Sequence, residues 1–208
     1  MENLAVDRAG FIEEAMRSHG DWAGRDLLDI GCGTGFHLPR FASTARSVTG
    51  VEPHPPLVTL AQRRTRRLAN VSVSEGAAQS LPVPDASVDI AHARWAYFFG
   101  EGCEPGLREL DRVMRRGGTA YVIDNDSTRS TFGTWFRRGY PKVEHPAPFW
   151  SRHGWSRHPL DITWEFDSRE DFESVILIEF DAKTARWILE GHEGQSVDYA
   201  IDLYYKTF

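Results

Sequence analysis

Residues 27–35 of the chain read LLDIGCGTG, a short apolar run that leads directly into three closely spaced glycines. The run over 26–30 is typical of a buried parallel strand, and a helix is predicted from about residue 36 to residue 43. Glycines between a strand and a helix let the backbone turn sharply and let a ligand approach main-chain atoms closely. We therefore expect a ligand site at the carboxyl end of this strand.

Strands and helices are predicted to alternate along the rest of the chain. Apolar runs favour strands at 47–51, 71–74, 87–93, 119–124, 161–166 and 197–206. Amphipathic stretches favour helices at 9–18, at 56–69, from Pro105 to a stop at Gly117-Gly118, at 168–178 and at about 183–190. This alternation predicts an α/β fold, doubly wound, with a mostly parallel sheet covered by helices on both faces.

The composition fits one folded domain that covers residues 1–208. The net charge of −6, from 24 basic and 30 acidic residues, disfavours nucleic acid as a partner. No apolar stretch approaches the length of a membrane span and no signal core begins the chain, so we expect no membrane partner and a cytoplasmic location. The two cysteines, Cys32 and Cys103, show no metal-ligand spacing, and no metal is predicted.

Residues 127–160 interrupt the alternation and are rich in aromatic residues, histidine and arginine. They hold six basic residues and one acidic residue, whereas residues 161–208 hold four basic and twelve acidic residues. We predict an insertion that acts as a lid or acceptor-binding segment, because long irregular stretches in compact domains are usually functional. Its basic residues would suit an acidic acceptor, but we favour their pairing with the acidic residues that follow.

A second acid, Glu52, ends the strand after the glycines and suits the two hydroxyls of a ribose. A nicotinamide site favours the spacing G-x-G-x-x-G, whereas this loop has G-x-G-x-G followed by Phe36. Asp29 precedes the glycines, where it would repel phosphates and suit an ammonium group. A ligand with a ribose, an amino-acid tail and no phosphates fits best, and S-adenosylmethionine (SAM) is such a ligand.

Four ordered segments of the chain resemble the class I SAM-dependent methyltransferases. These segments are LLDIGCGTG (27–35), VTGVEPHP (48–55), EGAAQSLPVPDASVDI (75–90) and LRELDRVMRRGGTAYVID (107–124). The resemblance covers roughly residues 25–126. It implies a Rossmann-like sheet of seven strands whose last strand runs antiparallel to the others.

The resemblance also implies which residues hold the cofactor. Asp29, Gly31 and Gly33 would lie along the methionine part of SAM, Glu52 would bind the ribose, and Pro53 would lie beside the adenine. The whole expected set is Asp29, Gly31, Cys32, Gly33, Glu52, Pro53, Ala77, Ala78 and Arg94. Ala77 stands where many members have an aspartate that accepts the adenine amino group, so one charge-assisted hydrogen bond is missing, worth about 1.5–3 kcal/mol.

The expected reaction is in-line transfer of the methyl group to an oxygen or nitrogen atom of a small-molecule acceptor. Such a transfer depends mainly on positioning, with proton removal for some acceptors. The candidate catalytic residues are Tyr97, Asp126, His145 and His153, and Trp95, Phe98 or Phe99 are candidates for a wall of the acceptor site. His92, on a buried strand, is interpreted as a core histidine.

Other functions stay open at this point. The same fold would suit a non-catalytic SAM-binding or regulatory protein, and Ala77 favours that alternative. A nucleotide-cofactor oxidoreductase is disfavoured by Phe36, and an RNA or protein methyltransferase remains a further alternative. The basic run Arg63–Arg67 is interpreted as a solvated helix face, because the chain is acidic overall.

Overall fold

A computed structural model describes residues 2–97 and 102–208 of the chain. Its strands are β1 Asp26–Ile30, β2 Ser47–Glu52, β3 Val71–Glu75, β4 Val88–Arg94, β5 Met114–Asn125, β6 Ser156–Glu165 and β7 Ser196–Thr207. Its helices are α1 Glu2–Ala5, α2 Phe11–His19, α3 Leu38–Ala42, α4 Pro55–Thr65, α5 Glu104–Val113, α6 Thr131–Gly139, α7 Ala147–Arg152, α8 Arg169–Glu179 and α9 Ala182–Gly191.

The seven strands form one sheet in the order β3-β2-β1-β4-β5-β7-β6. Neighbouring strands among β1 to β5 pair in parallel, and the last strand of the chain runs antiparallel. The expected α/β fold, with a mostly parallel sheet of seven strands and an antiparallel last strand, is therefore confirmed. In the register of the sheet, Asp29 on β1 lies beside Gly50 on β2 and His92 on β4.

The chain divides into two compact units. The small unit comprises Met1–Glu14, Asn125–His145 and His158–Asp202, and the large unit comprises Ala15–Asp124, Pro146–Arg157 and Leu203–Phe208. The segment 127–160, expected to form one insertion, is thus divided between the two units. Within the described residues, no helix has both the length and the apolar character needed to cross a membrane.

The core of the large unit is built from inward-facing strand residues and helix α5. Leu28, Val51 and Val122 are among the buried side chains of this core. The indole of Trp150 is fully buried, with its ring centroid 5.0 Å from that of Trp155 and 5.5 Å from that of Tyr204. The resulting apolar support fixes the carboxyl ends of the parallel strands.

The core of the small unit is largely aromatic. The Phe132 ring centroid lies 4.2 Å from that of Tyr199 and 5.2 Å from that of Trp164. Helix α8 begins as the sequence predicts, because the Ser168 hydroxyl accepts a hydrogen bond from the Asp171 amide at 3.1 Å.

The prediction that Gly117-Gly118 ends a helix is wrong. Helix α5 ends at Val113, and β5 begins at Met114, whose backbone is extended. Gly117 has a φ of +78° and lies inside the strand, near a shift in the β4–β5 register between Val88 and Ile90. Glycine suits this irregular position in the strand, because it adopts the left-handed conformation without steric cost.

The expectation of a long irregular segment at 127–160 is also wrong. Helices α6 and α7 lie inside it, and β6 begins at Ser156 instead of residue 161. The aromatic residues expected to cover an acceptor are mostly core residues of their own unit. The buried ones are Phe132, Trp135, Phe136, Phe149, Trp150 and Trp155.

The basic residues of 127–160 follow the expected pairing only in part. In the small unit, Arg129 forms an ion pair of 2.6 Å with Asp161. Arg137 instead donates to the Ser127 carbonyl, and the Arg138 guanidinium lies 4.2 Å from the Trp187 ring.

Candidate functional site

The glycine loop after β1 has three residues in the left-handed region. The φ angles are +70° at Gly31, +54° at Gly33 and +71° at Gly35. A Cβ atom on Gly31 would lie 2.7 Å from the Ala96 Cβ, and one on Gly35 would lie 2.9 Å from the Ala61 Cβ, so packing excludes larger residues there. A Cβ on Gly33 would meet nothing within 4 Å, which leaves this backbone open to a ligand.

The Glu52 carboxylate at the end of β2 is held by two backbone amides. Gly33 donates to Oε2 at 3.0 Å, and His54 donates to Oε1 at 3.0 Å. Glu52 is only 6% exposed. Because a carboxylate has about four lone-pair positions, each oxygen keeps one for a further donor such as a ribose hydroxyl.

Asp29 is the buried acid of the glycine motif, and it contacts His92. The Asp29 Oδ1 and His92 Nδ1 atoms lie 2.7 Å apart, and both side chains are buried. This contact agrees with the interpretation of His92 as a core histidine. A residue of β4 therefore holds the Asp29 carboxylate in place. The expected role of Asp29 beside the methionine part of SAM stays a prediction.

Two further ionisable groups near the loop are kept uncharged by burial. Burial raises the pKa of the Cys32 thiol to about 12, with Asp29 and Glu52 adding to the effect. Burial, together with the positive charge of Arg94, lowers the pKa of His37 to about 2. Among the described residues, the buried His37 Nε2 has no hydrogen-bond partner. The sequence analysis did not select His37, although it follows the glycine loop by two positions.

The segment expected beside the adenine forms a turn after β3. The Ser80 amide donates to the Ala77 carbonyl at 2.9 Å, and the Gly76 amide donates to the Glu52 carbonyl at 3.2 Å. Pro53 is exposed. These bonds bring the Ala77–Ser80 turn and the ribose-binding candidate Glu52 to one edge of the sheet.

A small cavity of about 140 Å³ adjoins this turn. It is lined by Ala78, Gln79, Ala96, Tyr97, Gly102, Cys103 and Gly106. The Tyr97 hydroxyl is buried and has no hydrogen-bond partner among the described residues, and burial raises its pKa. Tyr97 thus lines the cavity as a neutral phenol.

The end of β4 carries a strained backbone. Trp95 has a φ of +51°, which is uncommon for a bulky residue, and its ring centroid lies 4.4 Å from the Arg94 guanidinium. Strain of this kind concentrates at functional sites. Phe98 and Phe99, the other wall candidates, lie outside the described residues.

Comparison with protein families concerns the part of the chain that contains the glycine loop. Residues 28–122 match the family model described as a methyltransferase domain. These residues contain the glycine loop, Glu52 and the Ala77–Ser80 turn. This region is therefore similar to known methyltransferase domains.

The chain spans about half the length of the curated relatives that it matches. An uncharacterized methyltransferase of Bacillus subtilis is 31% identical over 101 residues, which are 48% of this chain and 40% of that protein. A ubiquinone/menaquinone biosynthesis C-methyltransferase of Rubrivivax gelatinosus is 31% identical over 118 residues, 57% of this chain and 45% of that protein.

The fold is shared with a solved structure over the whole chain. A SAM-dependent methyltransferase from Aquifex aeolicus superposes with a TM-score of 0.64 at 17% identity, covering 100% of this chain and 93% of that one. At this identity the likeness concerns the fold alone.

The catalytic candidates that lie outside residues 28–122 belong to different units. His153, in the large unit, lies with its Nδ1 2.9 Å from the Phe149 carbonyl oxygen, and its ring centroid is 4.2 Å from that of Phe149. Asp126 and His145 come together in the small unit. The His145 Nε2 lies 3.2 Å from the Asp126 Oδ1 and 3.2 Å from the Asp202 Oδ2.

This acid–histidine cluster, Asp126, His145 and Asp202, joins the end of β5, the segment after α6 and strand β7. One imidazole nitrogen and one oxygen from each carboxylate lie within 4.8 Å of one another, and both carboxylates are buried. Burial opposes ionisation of Asp126, but hydrogen bonds from Thr128 and Arg129 lower its pKa to about 2. Sequence reasoning missed Asp202, because it lies in a strand pattern far from the other two residues.

Proposed function

We propose that this chain transfers a methyl group from SAM to a small-molecule acceptor. The observation that carries the proposal is the Glu52 carboxylate, which two backbone amides hold at 3.0 Å each at the end of β2. A carboxylate fixed in this way is preorganised for the two ribose hydroxyls of an adenosine-based cofactor.

The residues around the glycine loop fit SAM better than a dinucleotide. Gly33 is open on its Cβ side, so the chain of the cofactor is able to lie against the backbone. Asp29 and Glu52 place negative charge at this loop, which opposes a pyrophosphate and suits a sulfonium and an ammonium group. Bound SAM supplies an activated methyl group with a neutral leaving thioether.

In the proposed mechanism, the chain positions the reactants and removes water. Glu52 binds the ribose, and the backbone at Gly33 orients the amino-acid tail. Ala77 and Ala78 offer backbone groups to the adenine edge in place of the missing aspartate. Positioning of this kind is able to supply much of the rate enhancement of a displacement reaction.

We further propose that the methyl group goes to an oxygen or nitrogen atom of the acceptor, whose lone pair attacks the methyl carbon in line with the departing sulfur.

The first test separates cofactor classes. Calorimetry with SAM, with its demethylated product S-adenosylhomocysteine (SAH) and with NAD(H) is expected to show stoichiometric binding of SAM and SAH only. Binding of NAD(H) in their place would contradict the proposal.

The second test concerns the reaction. SAM with an isotopically labelled methyl group is incubated with a broad panel of metabolites, and products are located by mass spectrometry. Labelled oxygen or nitrogen methyl products are expected. Labelling at carbon would contradict the proposed acceptor atom, and tight SAM binding without any labelled product would favour a non-catalytic binding protein.

A further inference from the structure

A pocket on the large unit is lined mainly by arginines. Its cavity of about 500 Å³ is bordered by Thr34 of the glycine loop, by Leu60 on α4, and by four arginines at and beyond the end of that helix. The arginines are Arg63, Arg64, Arg66 and Arg67. No carboxylate lines this pocket within the part of the chain that the structure describes.

The four guanidinium groups have no acidic partners among the residues that the structure describes. Among residues 2–97 and 102–208, none of them forms an ion pair or donates a hydrogen bond, and Arg64 contacts only an aromatic ring, with its Cζ 5.7 Å from the Phe36 ring centroid. Like charges around one concave surface repel each other, and the repulsion is relieved when an anion binds.

The four arginines lie on one side of the chain because of their spacing. On a continuous helix, residues 63, 64, 66 and 67 would span an arc of about 160°, because each residue turns by about 100°. Helix α4 ends at Thr65, and the chain turns at Arg66 and Arg67. Thr65 is buried and its hydroxyl donates to the Ala61 carbonyl at 2.9 Å, which anchors the end of the helix.

We propose that this arginine pocket binds a small ligand with a di- or triphosphate group. Four guanidinium groups match its charge, and their planar donors suit phosphate oxygens. The cavity volume lies in the range of small-molecule sites, and the exposed Leu60 side chain offers an apolar wall. The acidic net charge of the chain disfavours an extended nucleic acid as the occupant.

The pocket is distinct in chemistry from the proposed cofactor site. Glu52 and Asp29 favour a phosphate-free ligand at the glycine loop, whereas the arginine pocket favours a polyanion. Of the glycine-loop residues 31–35, Thr34 alone lines the arginine pocket. The inference therefore stands independently of the proposed methyl transfer.

The test is calorimetric titration of the full chain with inorganic triphosphate at about 50 mM salt, followed by a nucleoside triphosphate. One site is expected, with affinity that falls as salt is raised. The double variant Arg63→Gln/Arg67→Gln is expected to bind triphosphate at least about tenfold more weakly, since charge-assisted hydrogen bonds are removed. Circular dichroism of the variant, compared with that of the wild-type chain, shows whether the variant is folded.

A matched control is Lys183→Gln/Arg186→Gln on α9, which removes the same charge elsewhere and is expected to leave triphosphate affinity unchanged. Equal weakening in this control would overturn the proposal, since it would show a non-specific charge effect. So would no binding to the wild-type chain, or tighter binding of a single-stranded RNA oligonucleotide than of triphosphate. Tighter binding of the nucleoside triphosphate than of inorganic triphosphate would support the proposal and identify a ligand with an organic part. Failure of SAH to bind would affect the proposed function alone.

Discussion

The Glu52 carboxylate accepts a hydrogen bond from the Gly33 amide at 3.0 Å, across 19 residues of sequence. This bond joins the two parts of the proposed cofactor site, the glycine loop after β1 and the acid at the end of β2. Because the bond forms within the protein, the carboxylate is oriented before any ligand arrives. The cost of orienting it on binding is therefore reduced.

The first prediction concerns the ribose contact. Glu52→Ala is expected to weaken SAH binding by about 1.5–3 kcal/mol, because charge-assisted hydrogen bonds to the ribose are lost. Glu75→Ala is the control, since Glu75 ends β3 in register with Glu52 and is exposed. Calorimetry measures both, and equal affinities of wild type and Glu52→Ala would contradict the ribose role.

The second prediction concerns the open backbone at Gly33. Gly33→Val is expected to abolish SAH binding, because the added side chain fills the space in front of the loop. Gly24→Val is the matched control, since Gly24 has a φ of +68° and equally open surroundings. Both variants should lose about 1–2 kcal/mol of unfolding free energy from left-handed strain. Loss of SAH binding in both would point to general destabilisation.

The third prediction concerns the buried contact of Asp29 with His92. Asp29→Ala is expected to lower the free energy of unfolding by about 1–3 kcal/mol, since a buried His92 nitrogen loses its partner. Asp21→Ala breaks an exposed ion pair with Arg17 and should cost less than about 1 kcal/mol. Urea unfolding measures both, and similar losses would show that burial of the pair is unimportant.

The fourth prediction concerns acid stability. A hydrogen bond from Arg112, supported by the Leu81 amide, lowers the pKa of Glu109 from 4.5 to about 2. The pKa is lower in the folded state, so the ion pair stabilises the fold above about pH 4.5, and the stabilisation is lost as the pH falls towards 2. Glu109→Gln should therefore be less stable than wild type at neutral pH and equal to it below pH 2 in urea unfolding. A stability difference that persists in acid would exclude this linkage.

The fifth prediction concerns the two thiols. Burial raises the pKa of Cys32 and of Cys103 to about 12 each. The thiolate fraction at about pH 8 is then on the order of 10⁻⁴, so both cysteines should resist iodoacetamide in the folded chain and react after unfolding. Peptide mass spectrometry measures the modification at each position. Rapid labelling of Cys32 in the native chain would show that the loop is more open than described.

Much of the fold was predictable because its signals are local. Apolar runs and the residues that end them predicted the strands. The helix predicted from Pro105 extended beyond Val113, where α5 ends in the structure. Gly117 was interpreted as a helix stop, but it occupies a left-handed position within β5. A glycine with positive φ suits both places, and only the pairing of β5 with β4 distinguishes them.

The candidate site was predictable to the extent that it lies at strand ends. The carboxyl ends of neighbouring parallel strands meet at one edge of a sheet, which is why Gly33 and Glu52 were expected together. The partner of Asp29 was not predicted. His92 is 63 residues away, and their contact depends on the register of β1 against β4.

The order of apolar runs, the glycine loop and the acid after it determined the sheet architecture and predicted the place of the cofactor from the sequence alone, because chain periodicity and turn chemistry act over a few residues. Tertiary structure alone brought Asp202 to Asp126 and His145. That arrangement depends on strand register, which is decided by packing between residues distant in the chain.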